Sequence, residues 1–267
     1  MPYVGMSRGT QWLLVSTHRT CTRLPEQLKL PLTQIWTCPL RHQRRQLVPT
    51  WLKSADMSRR DWSAWHEAYA DPDSALSRRL VVVQARIRET LDEAAPGPVR
   101  VVSMCAGEGR DVLGVLDGHP RRTNVRGRLV ELDPRLADRA RRRAAAIGAD
   151  LEVVTGDAAR SAHYAGAVPA DLVLLCGVFG NIGDADVARV VAAAPQLTAT
   201  GGTVVWTRHR REPDLVPTIL DWFAAAGFVQ VWLSDKSEGY GVGVHRFAGV
   251  QAALRLDETL FRFVDRG

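Results

Sequence analysis

Residues 99–111, VRVVSMCAGEGRD, constrain the fold of this chain more than any other stretch. Residues 99–104 form a short apolar run, the pattern of a strand buried on both faces. The run gives way to Ala106-Gly107-Glu108-Gly109, and then Val112, Leu113, Val115 and Leu116 resume along one side of a helix. A strand, a glycine turn and a helix start in such close order is how α/β folds bring bare backbone near a ligand. N–H groups at a helix start favour a carboxylate or phosphate. Tight strand-to-helix turns also need glycine with no ligand present, so the turn alone leaves both readings open.

The rest of the chain extends this unit. Leu76, Leu80, Val83, Ile87 and Leu91 recur in steps of four and three, which predicts a helix over 74–93 capped by Asp73 or Ser74 and ended by Pro-Gly-Pro. Further strands are predicted at 126–131, 151–155, 170–176 and 203–207. A helix between the first two starts at Asp133-Pro134 and stops at Gly148. Other helices are expected over 184–194 and 213–226. Strands at 228–233 and 242–247, joined by SDKSEGYG, are close enough for a hairpin. The expectation is an α/β fold: a doubly wound, mostly parallel sheet of about seven strands with an antiparallel C-terminal strand. The stretch after Ala248 reads as a short edge segment.

Upstream, residues 1–56 carry five prolines and no sustained period of 2 or 3.6, so they are expected to be poorly ordered or loosely packed, although Trp12, Trp36 and Trp51 can dock. Residues 57–98 are expected to form an N-terminal helical cap, and 99–267 the cofactor-binding catalytic domain. Within the cap, Trp62, Trp65, His66 and Tyr69 share one helical face, either covering the core or forming a lid over a pocket.

Charge bears on partners. The net charge is +6, but residues 1–56 hold eight of the 35 Lys/Arg and only two of the 29 Asp/Glu, leaving 27 of each sign beyond them. A basic tail beside a neutral body argues against a nucleic-acid substrate. No apolar run approaches the roughly eighteen residues that span a bilayer, and the opening shows no secretory leader pattern, so no membrane partner is expected. Cys21, Cys38, Cys105 and Cys176 have no metal-ligand spacing, so no metal is expected, and a reducing cytoplasm fits.

In an open parallel sheet, ligands sit outside the carboxyl ends of the strands. Those ends carry Cys105-Ala106-Gly107-Glu108-Gly109, then Glu131, then Asp157, then Cys176-Gly177-Val178, then Arg208-His209. Glu131 suits a ribose diol. Asp133 competes for that role, but a capping position accounts for it. Asp157 suits the exocyclic amine of adenine, or caps the start of its loop.

The order SMCAGEGRD, RLVELDP, VVTGDA, ADLVLLCGVFGNI and closing hairpin resembles the class I S-adenosylmethionine-dependent methyltransferases over about residues 74–247. The stretches CGVFGNI and WTRHRREPDL resemble uncharacterised actinobacterial members, which names no substrate. The resemblance implies a Rossmann-like methyltransferase fold and S-adenosylmethionine as cofactor. It implies cofactor contacts at Cys105, Ala106, Gly107, Glu108, Gly109, Glu131, Leu132, Asp157, Ala158, Cys176 and Gly177. Two positions depart from the family pattern: Ser103 stands where an acid is usual, and Cys105 where a third glycine is usual.

Two other functions compete. A nicotinamide-dependent oxidoreductase wants Gly-x-Gly-x-x-Gly, whereas Gly109 is followed here by Arg110, Asp111 and Val112. Glu108 also suits a methionine ammonium better than a pyrophosphate. A non-catalytic cofactor- or partner-binding module is the other rival. For methyl transfer, alignment and water exclusion come first and a base is optional. His209 is the candidate base, against a reading as a surface histidine, and Arg208, Arg210 and Arg211 either hold an anionic acceptor or stay solvated. Without an Asn/Asp-Pro-Pro-Tyr/Phe motif, a small molecule is the expected acceptor rather than adenine in nucleic acid.

Overall fold

The computed structural model describes Tyr69 and residues 71–264. The expectations for 1–56 and for Trp62, Trp65 and His66 lie outside the described residues.

Twelve elements carry the fold: α1 Ala75–Glu93, β1 Val99–Met104, α2 Val112–Leu116, β2 Val125–Glu131, α3 Pro134–Ile147, β3 Asp150–Thr155, β4 Ala170–Leu175, α4 Asp184–Leu197, β5 Thr198–His209, α5 Val216–Ala225, β6 Phe228–Leu233 and β7 Tyr240–Phe247. The strands form one sheet in the order β3-β2-β1-β4-β5-β7-β6. β7 runs antiparallel to both β5 and β6, while the β1–β2, β1–β4, β2–β3 and β4–β5 pairs are parallel. This is the doubly wound sheet with one antiparallel strand that the sequence pattern implied.

Alternation of side chains sorts the core into two layers. Val101, Leu172, Leu174, Val205 and Val242 face one layer with Ile87 and Leu91 of α1 and Leu113 of α2. Val102, Met104, Val173, Leu175 and Trp206 face the other, with Val190 of α4 and Phe223 of α5. Each fully buried aliphatic side chain contributes about 1.5–3 kcal/mol, so the three that α1 buries at Val83, Ile87 and Leu91 fix it to the sheet.

Caps sit where residue chemistry places them. The Ser74 side chain accepts the Ser77 N–H at 3.0 Å, Asp133 accepts the Arg135 N–H ahead of Pro134, and Gly148 closes α3 in the left-handed conformation. One helix is short, and one strand starts well before the sequence pattern places it. α2 is a five-residue helix, ended at Asp117 with Gly118 at φ 83°. β5 starts five residues early because Thr198 pairs with Ala170 across a register shift at Gly201-Gly202, so a glycine pair that reads as a turn is instead carried inside the strand.

The stretch after β7 is not an edge strand. The sheet ends at β3 and β6, and residues 259 and 263 instead form isolated bridges to Arg160 and Ile182, in the loops after β3 and β4. Leu260 and Phe261 are buried in the core there. An alternating LRLDETLFRFV pattern looks like an edge strand, but buried apolar residues can pair with loops as readily as with a strand.

Candidate functional site

The crevice is built outside the carboxyl ends of β1, β2, β3 and β4. β1 and β4 are neighbours whose following helices lie on opposite layers, which is the switch point where such sheets bind ligands.

Left-handed backbone shapes the loop after β1. Gly107 (φ 57°) and Gly109 (φ 67°) adopt positive φ, as does Cys105 (φ 55°), the one non-glycine among the described residues to do so. Cys105 thus stands at a position whose backbone favours glycine, and it stores strain of about 1–3 kcal/mol there. Gly109 has a second requirement: a Cβ would stand 2.7 Å from Leu113 Cδ1.

Glu131, at the β2 tip, ties this loop down. Its Oε2 accepts the Gly107 N–H at 2.8 Å, its Oε1 accepts the Asp133 N–H at 2.8 Å, and its carbonyl accepts the Gly156 N–H at 2.9 Å. Burial pushes its carboxyl pKa up, and the Asp133 and Gly107 N–H groups work against that rise. Each carboxylate oxygen has a second lone pair beyond its backbone bond, which is what a diol requires. Asp133, by contrast, is a cap. A burial penalty raises its pKa, but the bonds from Arg135 outweigh it and hold the carboxyl below the usual range. Leu132 between them is 51% exposed, an apolar side chain left open at the crevice rim.

Asp157 is exposed after β3. Its Oδ1 accepts the Ala159 N–H at 3.0 Å, so it does cap its turn, with the other oxygen available for a second role. Burial raises the Cys105 thiol well above the usual value, and the charges of Glu131 and Asp157 raise it further. Both acids therefore lie near the Cys105 thiol. Ala158 is buried, its carbonyl accepting the Tyr164 hydroxyl at 2.6 Å.

Glu108 departs from expectation. Its carboxylate meets Arg139 at 2.6 Å and Arg110 at 2.8 Å. The charge that was expected to face a ligand ammonium is matched by two guanidiniums, one of which lies 5.1 Å from the centroid of the Tyr69 ring.

On the β1–β4 side the structure brings Asp111, Cys176 and Tyr69 together with Arg79 and Arg143, two arginines that no sequence pattern marked. Asp111 is buried, and its Oδ1 accepts the Val112 N–H at 2.7 Å. Burial lifts its carboxyl to about 6, against bonds from backbone N–H groups and the charge of Arg143. Burial also raises the Cys176 thiol well above normal, with Asp111 adding to the rise and Arg79 opposing it. Tyr69 shares this environment: burial raises its hydroxyl, Arg79 lowers it and Asp111 and Cys176 raise it. Neither thiol is set up as a nucleophile. Gly177 is held by its N–H to Thr207 Oγ1 at 2.9 Å and by the Asn181 side chain on its carbonyl at 2.6 Å.

At the β5 tip Arg208 and Arg210 are paired within the protein rather than arranged around an open anion site. Arg208, 6% exposed, donates to the Phe179 carbonyl and reaches Asp184 at 3.0 Å, and Arg210 pairs with Asp214 at 2.9 Å. Arg211 is exposed. His209 is half-buried; its Nδ1 accepts the Arg211 N–H at 3.3 Å, and its ring lies 3.7 Å from where a Cβ on Gly180 would stand.

Among the described residues, no group of three or more His, Cys, Asp or Glu is placed to hold a metal ion, and no helix is long and apolar enough to cross a membrane.

No protein-family model matches the chain, and no curated protein sequence matches it. Solved structures do. Magnesium protoporphyrin IX methyltransferase (ChlM) of Synechocystis PCC 6803, solved with bound S-adenosylmethionine, superposes with a TM-score of 0.56 at 10% identity, covering 74% of this chain and 96% of that one. The 1,6-didemethyltoxoflavin-N1-methyltransferase of Burkholderia thailandensis, solved with 1,6-didemethyltoxoflavin and S-adenosylhomocysteine, gives 0.51 at 18% identity, covering 70% and 87%. The pyocyanin biosynthetic protein PhzM gives 0.45 at 18% identity, and the match spans only 54% of its length, too loose to argue from. At these identities the likeness is one of fold: this chain has the fold of S-adenosylmethionine-dependent methyltransferases.

Proposed function

We propose that the protein is an S-adenosylmethionine-dependent methyltransferase acting on a small-molecule acceptor, within the family whose uncharacterised actinobacterial members its CGVFGNI and WTRHRREPDL stretches resemble. The observation that carries this reading is the bond from Gly107 to Glu131. It makes the glycine loop and the β2 acid one site, with Asp157 just past the end of the neighbouring strand β3. The residues fit the cofactor: Glu131 has lone pairs for a ribose diol, Asp157 an oxygen for the adenine amine, and Leu132 an apolar side chain beside them. Cys105, Ala106, Gly107 and Gly109 supply the bend, and Cys176 and Gly177 form the β4 wall. Glu108 belongs to the same loop and to the cofactor contacts, its carboxylate oriented by Arg110 and Arg139.

When bound, S-adenosylmethionine supplies a methyl group already activated by its sulfonium. The chain's part is then to hold the acceptor in line and exclude water. We assign His209 as the base for an acceptor that must lose a proton. Its lone pair sits at Nδ1, so this role requires the Arg211 bond to open. A dinucleotide oxidoreductase is disfavoured by the sheet itself, because the dinucleotide fold orders its strands 3-2-1-4-5-6, whereas here antiparallel β7 lies between β5 and β6.

Isothermal titration with S-adenosylhomocysteine and with NAD(P), followed by turnover of labelled S-adenosylmethionine against a metabolite pool, tests the proposal. Binding of the homocysteine product with methyl transfer supports it. Binding without transfer to any acceptor would make the protein a non-catalytic module, and NAD(P) binding alone would refute the assignment. His209→Ala is expected to slow turnover by roughly tenfold or more while keeping cofactor affinity; an unaltered rate removes it from the mechanism.

A further inference from the structure

The stretch after β7 does more than fill the core. Residues 258–264 run between the two loops that wall the crevice, and the backbone of Glu258, Leu260 and Val264 is bonded to them. Ser161, fully buried, is the clasp. Its N–H and hydroxyl both donate to the Glu258 carbonyl, at 3.1 and 3.2 Å, and its hydroxyl oxygen accepts the Glu258 N–H at 3.0 Å. Leu260 N–H donates to the Ala159 carbonyl at 2.8 Å, and Val264 N–H to the Asn181 carbonyl at 3.0 Å.

Both chains of bonds lead into the crevice. Ala159 is the residue whose N–H holds the Asp157 carboxylate, and Asn181 is the residue whose side chain holds the Gly177 carbonyl. Leu260 and Phe261 pack in the same core cluster as Ala158, Ala159, Phe179 and Ile182, so the two loops are joined by an apolar seam as well as by hydrogen bonds. Elsewhere Glu258 is tied to α4 by Gln196 Nε2 at 3.0 Å, and Arg262 N–H is held by Asp186 Oδ2 at 2.7 Å. The strap is therefore anchored on the helix layer and presents its bonds toward the strand tips.

We infer that residues 258–264 are a positioning strap that fixes the turn at Asp157 against the turn at Gly177 and so sets how well the crevice reads the adenine amine. This rests on the function proposed above. Asp157 is exposed and is held by one short backbone bond, so its direction follows that of Ala159. Ala159 in turn is held by Leu260. Ser161 and Leu260 touch no reacting group and act through Asp157.

The test compares two ligands that differ only on the edge of the base that carries the amine: S-adenosylhomocysteine, and S-inosylhomocysteine, in which a carbonyl replaces the amine and N1 carries a proton. In the wild-type chain the adenosyl ligand is expected to bind tighter by on the order of tenfold, one hydrogen bond's discrimination. Ser161→Ala and Leu260→Val are each expected to weaken the adenosyl ligand by several-fold and leave the inosyl ligand nearly unchanged, so that discrimination shrinks. Two conservative variants on different parts of the strap guard against one that fails to fold, and Tm is read alongside. A lower Tm with unchanged discrimination in the folded variants would make the strap merely structural and overturn the inference. Wild-type protein that binds both ligands equally would also overturn it while leaving the methyltransferase reading standing. Binding of neither ligand would remove that reading itself, and the strap's role with it.

Discussion

The two sides of the crevice are built by opposite means. At the β2 and β3 tips, Glu131 and Asp157 are held mostly by backbone N–H groups close in sequence: Asp133 and Ala159 lie two residues on from their acceptors. On the β1–β4 side, the surroundings of Asp111 are drawn from Tyr69 and Arg79 before it, Arg143 on α3 and Cys176 after β4. The first arrangement rests on backbone N–H groups; the second depends on tertiary packing of long side chains. The difference should show as different responses to mutation and to pH.

The largest effect is expected at Glu131. Glu131→Ala leaves the Gly107 and Asp133 N–H groups without their acceptor, at about 1–3 kcal/mol for each buried donor, and weakens S-adenosylhomocysteine by on the order of tenfold. Asp157→Ala removes one bond at an exposed turn, so it is expected to weaken the ligand comparably while lowering stability by only about 1 kcal/mol. Urea unfolding together with titration calorimetry separates the two. Equal stability losses would deny Glu131 its part in holding the loop, and unchanged affinity in both folded variants would end the ribose and adenine assignments.

That asymmetry also explains what was legible in the residues. The strand ends, the caps at Ser74 and Asp133 and the acid at Glu131 follow from patterns of period and from side chains that satisfy nearby backbone, which a linear text records. Glu108 was visible, but its partner Arg139 was not, because an arginine on an exposed helix face gives no sign of reaching back 31 residues. Arg208 and Arg210 read as one basic run, yet each is spent on a separate acid and carbonyl that only the loop after β4 and the start of α5 bring near. Arg79 sits within an amphipathic helix and carries no sequence signal. The strap was misplaced for the same reason, since an apolar alternation specifies burial without specifying the partner.

A smaller effect is expected on the β1–β4 side, where the measurement is pH rather than ligand. The Asp111 carboxyl sits at about 6 in the fold, against its ordinary 3.8. Between those values the folded state holds more protons than the unfolded state, so its contribution to stability falls as pH rises, by up to about 3 kcal/mol. His245 opposes it. Buried, with Nδ1 accepting the Trp206 indole N–H at 3.1 Å, its pKa is pushed down to about 4 from 6.5, so its contribution rises with pH over nearly the same window. The wild-type profile from pH 4 to 6.5 is therefore expected to be shallow. Asp111→Asn should expose a stability that climbs with pH, and His245→Gln one that falls. Parallel profiles for wild type and Asp111→Asn would show that Asp111 does not hold its proton in the fold.

The smallest effect tests the strain on the local side. Cys105 occupies φ 55° with its side chain partly buried near Glu131 and Asp157. Cys105→Gly relieves a left-handed conformation that costs an L-residue about 1–2 kcal/mol, but it adds backbone freedom to the unfolded chain worth about 0.5–1 kcal/mol and gives up the thiol's contacts. The net change is expected to be within about 1 kcal/mol of zero. Cys105→Val keeps the strain and adds a branched Cβ that this backbone does not accommodate, so it is expected to be the less stable variant by about 1–3 kcal/mol. Because the bend presents Gly107 to Glu131, loss of stability in Cys105→Val should be accompanied by weaker S-adenosylhomocysteine binding, whereas Cys105→Gly should keep it. A valine variant as stable as the glycine variant would mean that the bend does not hold the left-handed conformation, and the joint site of glycine loop and β2 acid would lose its geometric basis.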